Sequence, residues 1–250
     1  MKAMVLAAGL GTRLRPLTDE RPKALVEVGG RTMLELALAR LRRFGVGQVV
    51  VNAHHHAQMI VDYLVANGNF GMRIEVSRED LLLDTGGGLK QAARFFLEDG
   101  AESDEPFILH NVDVLSTIDL GCMVSAHRAA GALATLAVQQ RDSSRLLLFD
   151  AEGLLCGRRR RRDGETEWAR RVEGATPLAF AGIHVISPPL FPLLEEQGAF
   201  SIVDAYLRLA ARGEKIAAFR ADGAYWRDLG RPESVAQASL DLQNGVCPQP

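Results

Sequence analysis

The sequence predicts an α/β protein: a Rossmann-like, three-layer αβα sandwich around a mainly parallel central sheet, with a small mixed-sheet edge region. Three observations predict it. Short apolar runs alternate with helical stretches from the N-terminus to about residue 140. A glycine-rich loop, Gly9-Leu10-Gly11-Thr12-Arg13, follows the first apolar run, at the carboxyl end of a strand where open parallel sheets bind ligands. Beyond residue 140 the rhythm changes to short extended segments separated by turns.

Residues 2–8 read as a first buried strand, followed by a long polar loop to about Gly30. Thr32 and Glu35 have capping-box spacing ahead of a helix that runs to about Phe44, where Gly45 and Gly47 end it. A second strand over 48–52 leads to a helix over 56–66, in which Ile60 and Leu64 are one turn apart. A third strand covers 72–77 and a helix 88–97, preceded by Thr85-Gly86-Gly87-Gly88. Phe107 opens a fourth strand that breaks at Asn111; a helix over 119–129 and a strand over 133–139 follow. The mixed edge comes from extended segments at 146–149, 153–156 and 179–185, with turns at Glu152-Gly153 and Asp163-Gly164. Ser201 and Asp204 start another helix, 225–227 form a short strand, and Pro232 sits in the first turn of a final helix. Residues 245–250 form a tail.

Composition narrows the function. With 250 residues, 47% apolar and 24% charged, the chain can bury a sizeable core. A net charge of −2 offers no global attraction to nucleic acid or to an anionic membrane, so neither is expected as a partner. Cys122, Cys156 and Cys247 are too scattered for a disulfide framework or a zinc ribbon. The apolar stretch before Gly9 is too short for a signal peptide, and no run has the length to span a bilayer. These features point to a cytoplasmic protein.

Gly9 and Gly11 allow close backbone approach to phosphate, but two glycines alone do not separate a phosphate loop from tight packing. Leu14 excludes both the Walker pattern and the third glycine of a dinucleotide loop. Arg13 and Lys23 add two cations: the first can fork phosphate oxygens, the second acts as a point charge.

The string Gly9-x-Gly11-Thr12-Arg13-Leu14-x-Pro16-Leu17-Thr18, continued by Pro22-Lys23-x-Leu25, resembles the signature of the sugar-1-phosphate nucleotidyltransferases, or nucleotide-sugar pyrophosphorylases. The resemblance covers Met1 to about Asn244 and implies the nucleotidyltransferase form of the αβα fold as a single domain over 1–244. The nucleotide-binding part would cover about 1–115 and the sugar-phosphate part about 116–244. It implies a Mg²⁺-dependent transfer from a nucleoside triphosphate to a sugar 1-phosphate, by a monomer or small homo-oligomer.

The resemblance also assigns roles. Leu6, Ala8, Gly9, Gly11 and Thr12 would line the nucleotide, with Arg13 on the departing β- and γ-phosphates and Lys23 on the α-phosphate. Thr85, Gly87 and Gly88, read as a backbone nest ahead of a helix, would meet the base and sugar, together with Asn111. Gly88, Asn111 and Gly182 would hold the sugar phosphate. Asp113 and Asp228 would hold the metal; Asp228 lies in Trp226-Arg227-Asp228-Leu229-Gly230, which matches the family's Trp-x-Asp-x-Gly. Arg13, Lys23 and Asp113 would be the catalytic set.

Two departures stand out. Val112 replaces the family's usual glycine between Asn111 and Asp113, and no lysine lies between Lys90 and Lys215 to meet the sugar phosphate. Arg170 and Arg171 are available cations, though no motif selects either. The missing lysine and Asp84-Thr85-Gly86-Gly87-Gly88 resemble the branch holding N-acetylmuramate-1-phosphate uridylyltransferases and mannose- or heptose-1-phosphate guanylyltransferase-like proteins; UTP and GTP both stay open.

Other features carry less. Arg158 to Arg162 lack interleaved aromatics for base stacking and read as a solvated hairpin tip. His54-His55-His56 cannot all face one ion and read as a strand-to-helix loop. His110 reads as packing, since a sugar phosphate needs no general base. A glycosyltransferase of similar architecture is the second reading, although Asn111-x-Asp113 falls short of its Asp-x-Asp pair. A non-catalytic nucleotide-binding module is the third.

Overall fold

The computed structural model describes residues 1–98, 105–160 and 164–247. The four apolar runs that alternate with helices become the parallel half of the sheet. Strand β1 (Lys2–Leu6) lies at its centre. The hairpin pieces β2 (Glu27–Val28) and β3 (Arg31–Thr32) pair antiparallel outside the sheet. They lead into helix α1 (Met33–Arg43). Thr32 caps α1, its hydroxyl accepting from the Glu35 N–H at 3.1 Å. The reciprocal bond of a capping box is absent, because the Glu35 carboxylate pairs with Arg31 at 2.7 Å.

Strand β4 (Gln48–Ala53), helix α2 (Ala57–Ala66) and strand β5 (Arg73–Arg78) complete two βα units. Next come α3 (Asp84–Gln91), α4 (Ala93–Leu97), β6 (Phe107–Asn111), β7 (Val114–Ser116), α5 (Leu120–Ala130) and β8 (Ala134–Gln139). β1 is parallel to β4 on one side and to β6 on the other, and β4 is parallel to β5.

The edge region is antiparallel. It contains β9 (Arg145–Phe149), β10 (Leu155–Arg160), β11 (Thr166–Trp168) and the long β12 (Thr176–Ile186). β12 joins the two regions, pairing with β6, β8 and β9. Helix α6 (Ile202–Ala211) then returns the chain to β13 (Ile216–Arg220), parallel to β8. Strand β14 (Trp226–Asp228) pairs with β7 in a separate two-stranded ladder, and α7 (Pro232–Gln243) ends the fold.

Side chains alternate across the sheet and build one core on each face. Ala3, Val5, Val49 and Val51 pack with α1, α2, α5 and α7. Met4, Leu6, Val50 and Leu109 pack with α3, α4 and α6. Three layers result. No described helix is long and apolar enough to cross a membrane.

Three local expectations change. The helix expected over 88–97 starts earlier, at Asp84, and breaks at Ala92. Gly86, Gly87 and Gly88 therefore lie inside α3 and not in a nest ahead of it. Close packing explains them: a Cβ on Gly87 would sit 2.4 Å from the Gly198 carbonyl oxygen, and one on Gly88 2.6 Å from Glu79 Oε1. The arginine run is not a hairpin tip throughout, because Arg158, Arg159 and Arg160 extend β10. Arg158 pairs with Glu167 and Asp204 there, so a charge ladder replaces the apolar alternation that marks most strands. Arg161, Arg162 and Asp163 lie outside the described residues. Strand β13 went unpredicted, although Gly213 and Asp222-Gly223 punctuate the segment on either side.

Candidate active site

The site forms where β1, β4 and β6 end. Leu6 and Ala8 are buried as the chain leaves β1, while Gly9 and Leu10 emerge. Gly11 adopts the left-handed conformation (φ 64°), which turns the chain into a short helical turn over Thr12–Leu14. The Thr18 hydroxyl donates to the Gly11 carbonyl at 2.9 Å and closes the loop on itself. A second helical turn, Lys23–Leu25, anchors its Ala24 and Leu25 in the core and leaves Lys23 directed at the loop. A Cβ on Gly9 would lie 3.1 Å from Lys23 Nζ, so glycine is what lets the ammonium sit against the backbone.

Lys23 Nζ is 3.0 Å from Asp113 Oδ2, with both side chains mostly buried. Asp113 follows the break after β6. The Val112 N–H donates to the Leu6 carbonyl at 3.1 Å, and the Val112 side chain packs in the core. Valine therefore takes up no cleft space in place of the family's glycine. Asp228 comes alongside through the β7–β14 ladder, which sets it opposite Val114. The Leu229 N–H donates to the Asp113 carbonyl at 2.8 Å, so the two aspartates are locked into neighbouring positions. Asp228 Oδ1 accepts from the Gly230 N–H at 2.7 Å. The Arg13 guanidinium abuts Gly230, where a Cβ would be 2.7 Å from its Nη2; Arg13 thus reaches the Asp228 flank and not the Lys23 flank.

A cleft of about 530 Å³ opens over Leu6, Ala8, Gly9, Lys23, Asn111 and Asp113, and is closed on the far side by Leu82, Asp84, Thr85 and Ala199. A larger depression of about 730 Å³, beside His127, Arg128 and Lys215, lies at the opposite end of the strands, where β8 and β13 begin. Its Arg128 meets only the exposed Glu105, at 3.9 Å, among the described residues. Thr85 lines the cleft, and its hydroxyl accepts from the Ile202 N–H at 3.0 Å. Gly87 and Gly88 are buried behind it. Gly182 (φ 74°) interrupts the β12–β8 register and brings backbone against Asn111: a Cβ there would be 2.9 Å from Asn111 Nδ2.

Sequence reasoning missed Asn52 and Glu79. Asn52 is the penultimate residue of the second parallel strand, so the strand-end rule that points to Gly9 also reaches it. Its Oδ1 accepts from the Ala7 N–H at 2.7 Å and its Nδ2 donates to the buried Glu79 at 2.6 Å. Glu79 in turn accepts from the Leu83 N–H at 3.0 Å, tying the floor of the cleft to the segment that enters α3. Arg170 pairs with Asp150 at 2.5 Å and so is not free for a sugar phosphate. His110 is wholly buried, and desolvation pushes it down to about 4; it stays neutral inside the sheet. The His54–His56 segment lies in the loop between β4 and α2, with His54 bonded to the Glu79 carbonyl.

Among the described residues no cluster of three or more His, Cys, Asp or Glu side chains converges on a point. The Asp113–Asp228 pair nonetheless suits Mg²⁺, which takes one or two carboxylates and completes its shell with water and substrate phosphate.

The fold and this strand-end site define a nucleotide-handling α/β enzyme. Residues 2–146 match the model of the nucleotidyl transferase family, and the chain belongs to that family. It is 34% identical to the N-acetylmuramate α-1-phosphate uridylyltransferase of Caulobacter vibrioides, over 96% of each chain. It is 29% identical to the mannose-1-phosphate guanylyltransferase of Mycobacterium tuberculosis, over 99% of this chain but 66% of that one. Among solved structures, a UDP-glucose pyrophosphorylase complexed with UDP-glucose superposes with a TM-score of 0.76 at 19% identity, covering 98% of both chains. HddC of Yersinia pseudotuberculosis, complexed with GMP-PN, superposes with a TM-score of 0.75 at 21% identity, over 96% of this chain and 98% of that one. These two likenesses establish the fold.

Proposed function

We propose that the protein transfers a uridylyl group from UTP to N-acetylmuramate α-1-phosphate, releasing pyrophosphate. The observation that carries nucleotidyl transfer is the Lys23–Asp113 contact of 3.0 Å beside Gly9. It places a cation, a carboxylate and exposed backbone at one strand end. The choice of acceptor rests on the Caulobacter relative, because the match spans 96% of both chains.

The chemistry follows from charge and alignment. An oxygen of the sugar phosphate forms a bond to the α-phosphorus, and the α–β bridging bond breaks with its electron pair leaving on pyrophosphate. The attacking phosphate is already anionic, so no side chain needs to remove a proton. Lys23 stabilises charge that builds on the α-phosphate, and Arg13 steadies the departing phosphates. The backbone of Gly9 to Thr12 lies along the triphosphate. Asp113 and Asp228 would hold Mg²⁺, which supplies charge neutralisation at the phosphate oxygens. Before substrate enters, the Lys23–Asp113 pair keeps both charges satisfied in a partly dry cleft.

GTP with mannose 1-phosphate is the second pair to test, since relatives of that activity match 99% of this chain. A panel of nucleoside triphosphates against sugar 1-phosphates, read by pyrophosphate release, decides. The proposal expects the UTP and N-acetylmuramate 1-phosphate pair to give the highest kcat/KM. A clear preference for the guanylyl pair overturns the substrate choice, and silence across the panel overturns the transfer itself.

A further inference from the structure

Arg141 follows β8, where the chain leaves the sheet at the site end. Its guanidinium lies 3.4 Å from the centroid of the Trp226 ring. Its Nη2 donates to the Phe180 carbonyl at 2.7 Å. Trp226 is itself held, its indole N–H donating to the Ala181 carbonyl at 2.8 Å. The plane of the guanidinium is therefore set by an aromatic face and a carbonyl, both on rigid strands.

No acid among the described residues lies within ion-pair distance of that charge; the carboxylate that acts on it from further off is Asp228, itself at the site. Neighbouring arginines are neutralised: Arg170 by Asp150, Arg220 by Asp222, Arg227 by Asp241. Arg141 makes no ion pair among the described residues. Its Nη1 has only a 3.5 Å contact with the Asp142 carbonyl, and its Nε is buried without a partner. A cation drawn half out of water without an ion pair is costly, and a guanidinium fixed in plane presents its remaining N–H groups as a fork for two oxygens. Its location gives the fork a target. Trp226 is two residues from Asp228 on β14, and Phe180 is two residues from Gly182, whose backbone abuts Asn111. Lys23 sits instead with Asp113 and Gly9.

We propose that Arg141 binds the phosphate of the sugar 1-phosphate, making it the acceptor-side cation of the site. The proposal rests on the nucleotidyl-transfer reading above. It gives the two anionic substrates separate cations, so the acceptor phosphate can approach the α-phosphorus without competing for Lys23.

Steady-state kinetics with UTP and N-acetylmuramate 1-phosphate test it on two variants. Arg141→Met keeps the stem against Trp226 and removes the charge; Arg141→Lys keeps the charge and loses the fork. The expected result is a rise in acceptor KM of about tenfold or more for Arg141→Met, the scale of a lost charge-assisted hydrogen bond. Arg141→Lys should fall between Met and wild type, and the KM for UTP should move by less than about twofold in both. An acceptor KM within about twofold of wild type in Arg141→Met overturns the assignment, as does an equal rise in both KM values. A wild-type protein that releases no pyrophosphate with any substrate pair sinks the transfer reading and the acceptor role together, whereas an active wild type with an unaffected Met variant sinks Arg141 alone.

Discussion

Asp113 and Asp228 are separated by more than a hundred residues, yet the β7–β14 ladder and the bond from the Leu229 N–H to the Asp113 carbonyl bring their backbones together. Cations face both acids: Lys23 Nζ is 3.0 Å from Asp113 Oδ2, and the Arg13 guanidinium abuts Gly230 beside Asp228. Replacing either acid by its amide keeps shape and removes charge. Asp113→Asn and Asp228→Asn should each lower kcat on the order of 10²-fold or more, as expected when a fixed electrostatic element is removed from a transition state. Circular dichroism melts should stay near wild type. A variant that retains the wild-type rate would remove that residue from the chemistry. Both acids, Gly9 and Lys23 could be singled out in the sequence because they stand in strings that resemble the family's signature, and the folded chain brings Lys23 to Asp113 and Asp228 beside it. Arg141 was not legible: the role proposed for it depends on Trp226 and Phe180, which only the folded sheet brings to it.

Elements were legible where periodicity and punctuation agreed. β1, α1 with its Thr32 cap and α7 with Pro232 at its start match their sequence signals. They failed where tertiary contact overrode local preference. Three glycines disfavour a helix interior, yet α3 accepts them because segment 198–202 packs on its first turn. The Gly86 N–H donates to the Phe200 carbonyl at 2.9 Å, and the Phe200 N–H to the Leu83 carbonyl at 3.1 Å. Gly87→Ala should therefore destabilise the protein by about 1–3 kcal/mol, the usual cost of overpacking, despite alanine's better helix propensity. Urea unfolding measures it; a neutral or stabilising outcome would mean that segment 198–202 yields without cost. The outer part of β10, beyond the segment expected over 153–156, escaped for a different reason. Its outer residues pair by charge, so period-two hydrophobicity fades where the strand continues.

The whole molecule hides three neutral histidines in and beside its sheet. Burial pushes His110 and His127 down to about 4 and His184 to about 3; a nearby arginine adds to the effect for the first two, and His110 does so for His184. Folded pKa values below the unfolded value of about 6.5 mean that the unfolded chain takes up protons first as pH falls. Their contribution to stability is complete above about pH 6.5 and declines toward pH 4, with a slope approaching about 1.4 kcal/mol per pH unit for each histidine. Urea midpoints should drop between pH 7 and pH 5. His127, which bridges Thr135 and Ser187 at 2.9 Å each, can be tested singly. His127→Gln should show a shallower decline, and an unchanged slope would contradict this account of His127.

At the same scale, the parallel half of the sheet supplies the strand ends and the β12–β14 region carries the second flank, so the site exists only in the assembled fold. The central claim is that this assembled site joins a nucleotide to a sugar phosphate. Phosphorus NMR of the wild-type protein with UTP, N-acetylmuramate 1-phosphate and Mg²⁺ tests it most directly. The α-phosphorus of UTP and the phosphorus of the sugar phosphate should move into one coupled diphosphate, with one pyrophosphate appearing for each diphosphate formed. Unchanged UTP, or inorganic phosphate in place of pyrophosphate, would contradict it.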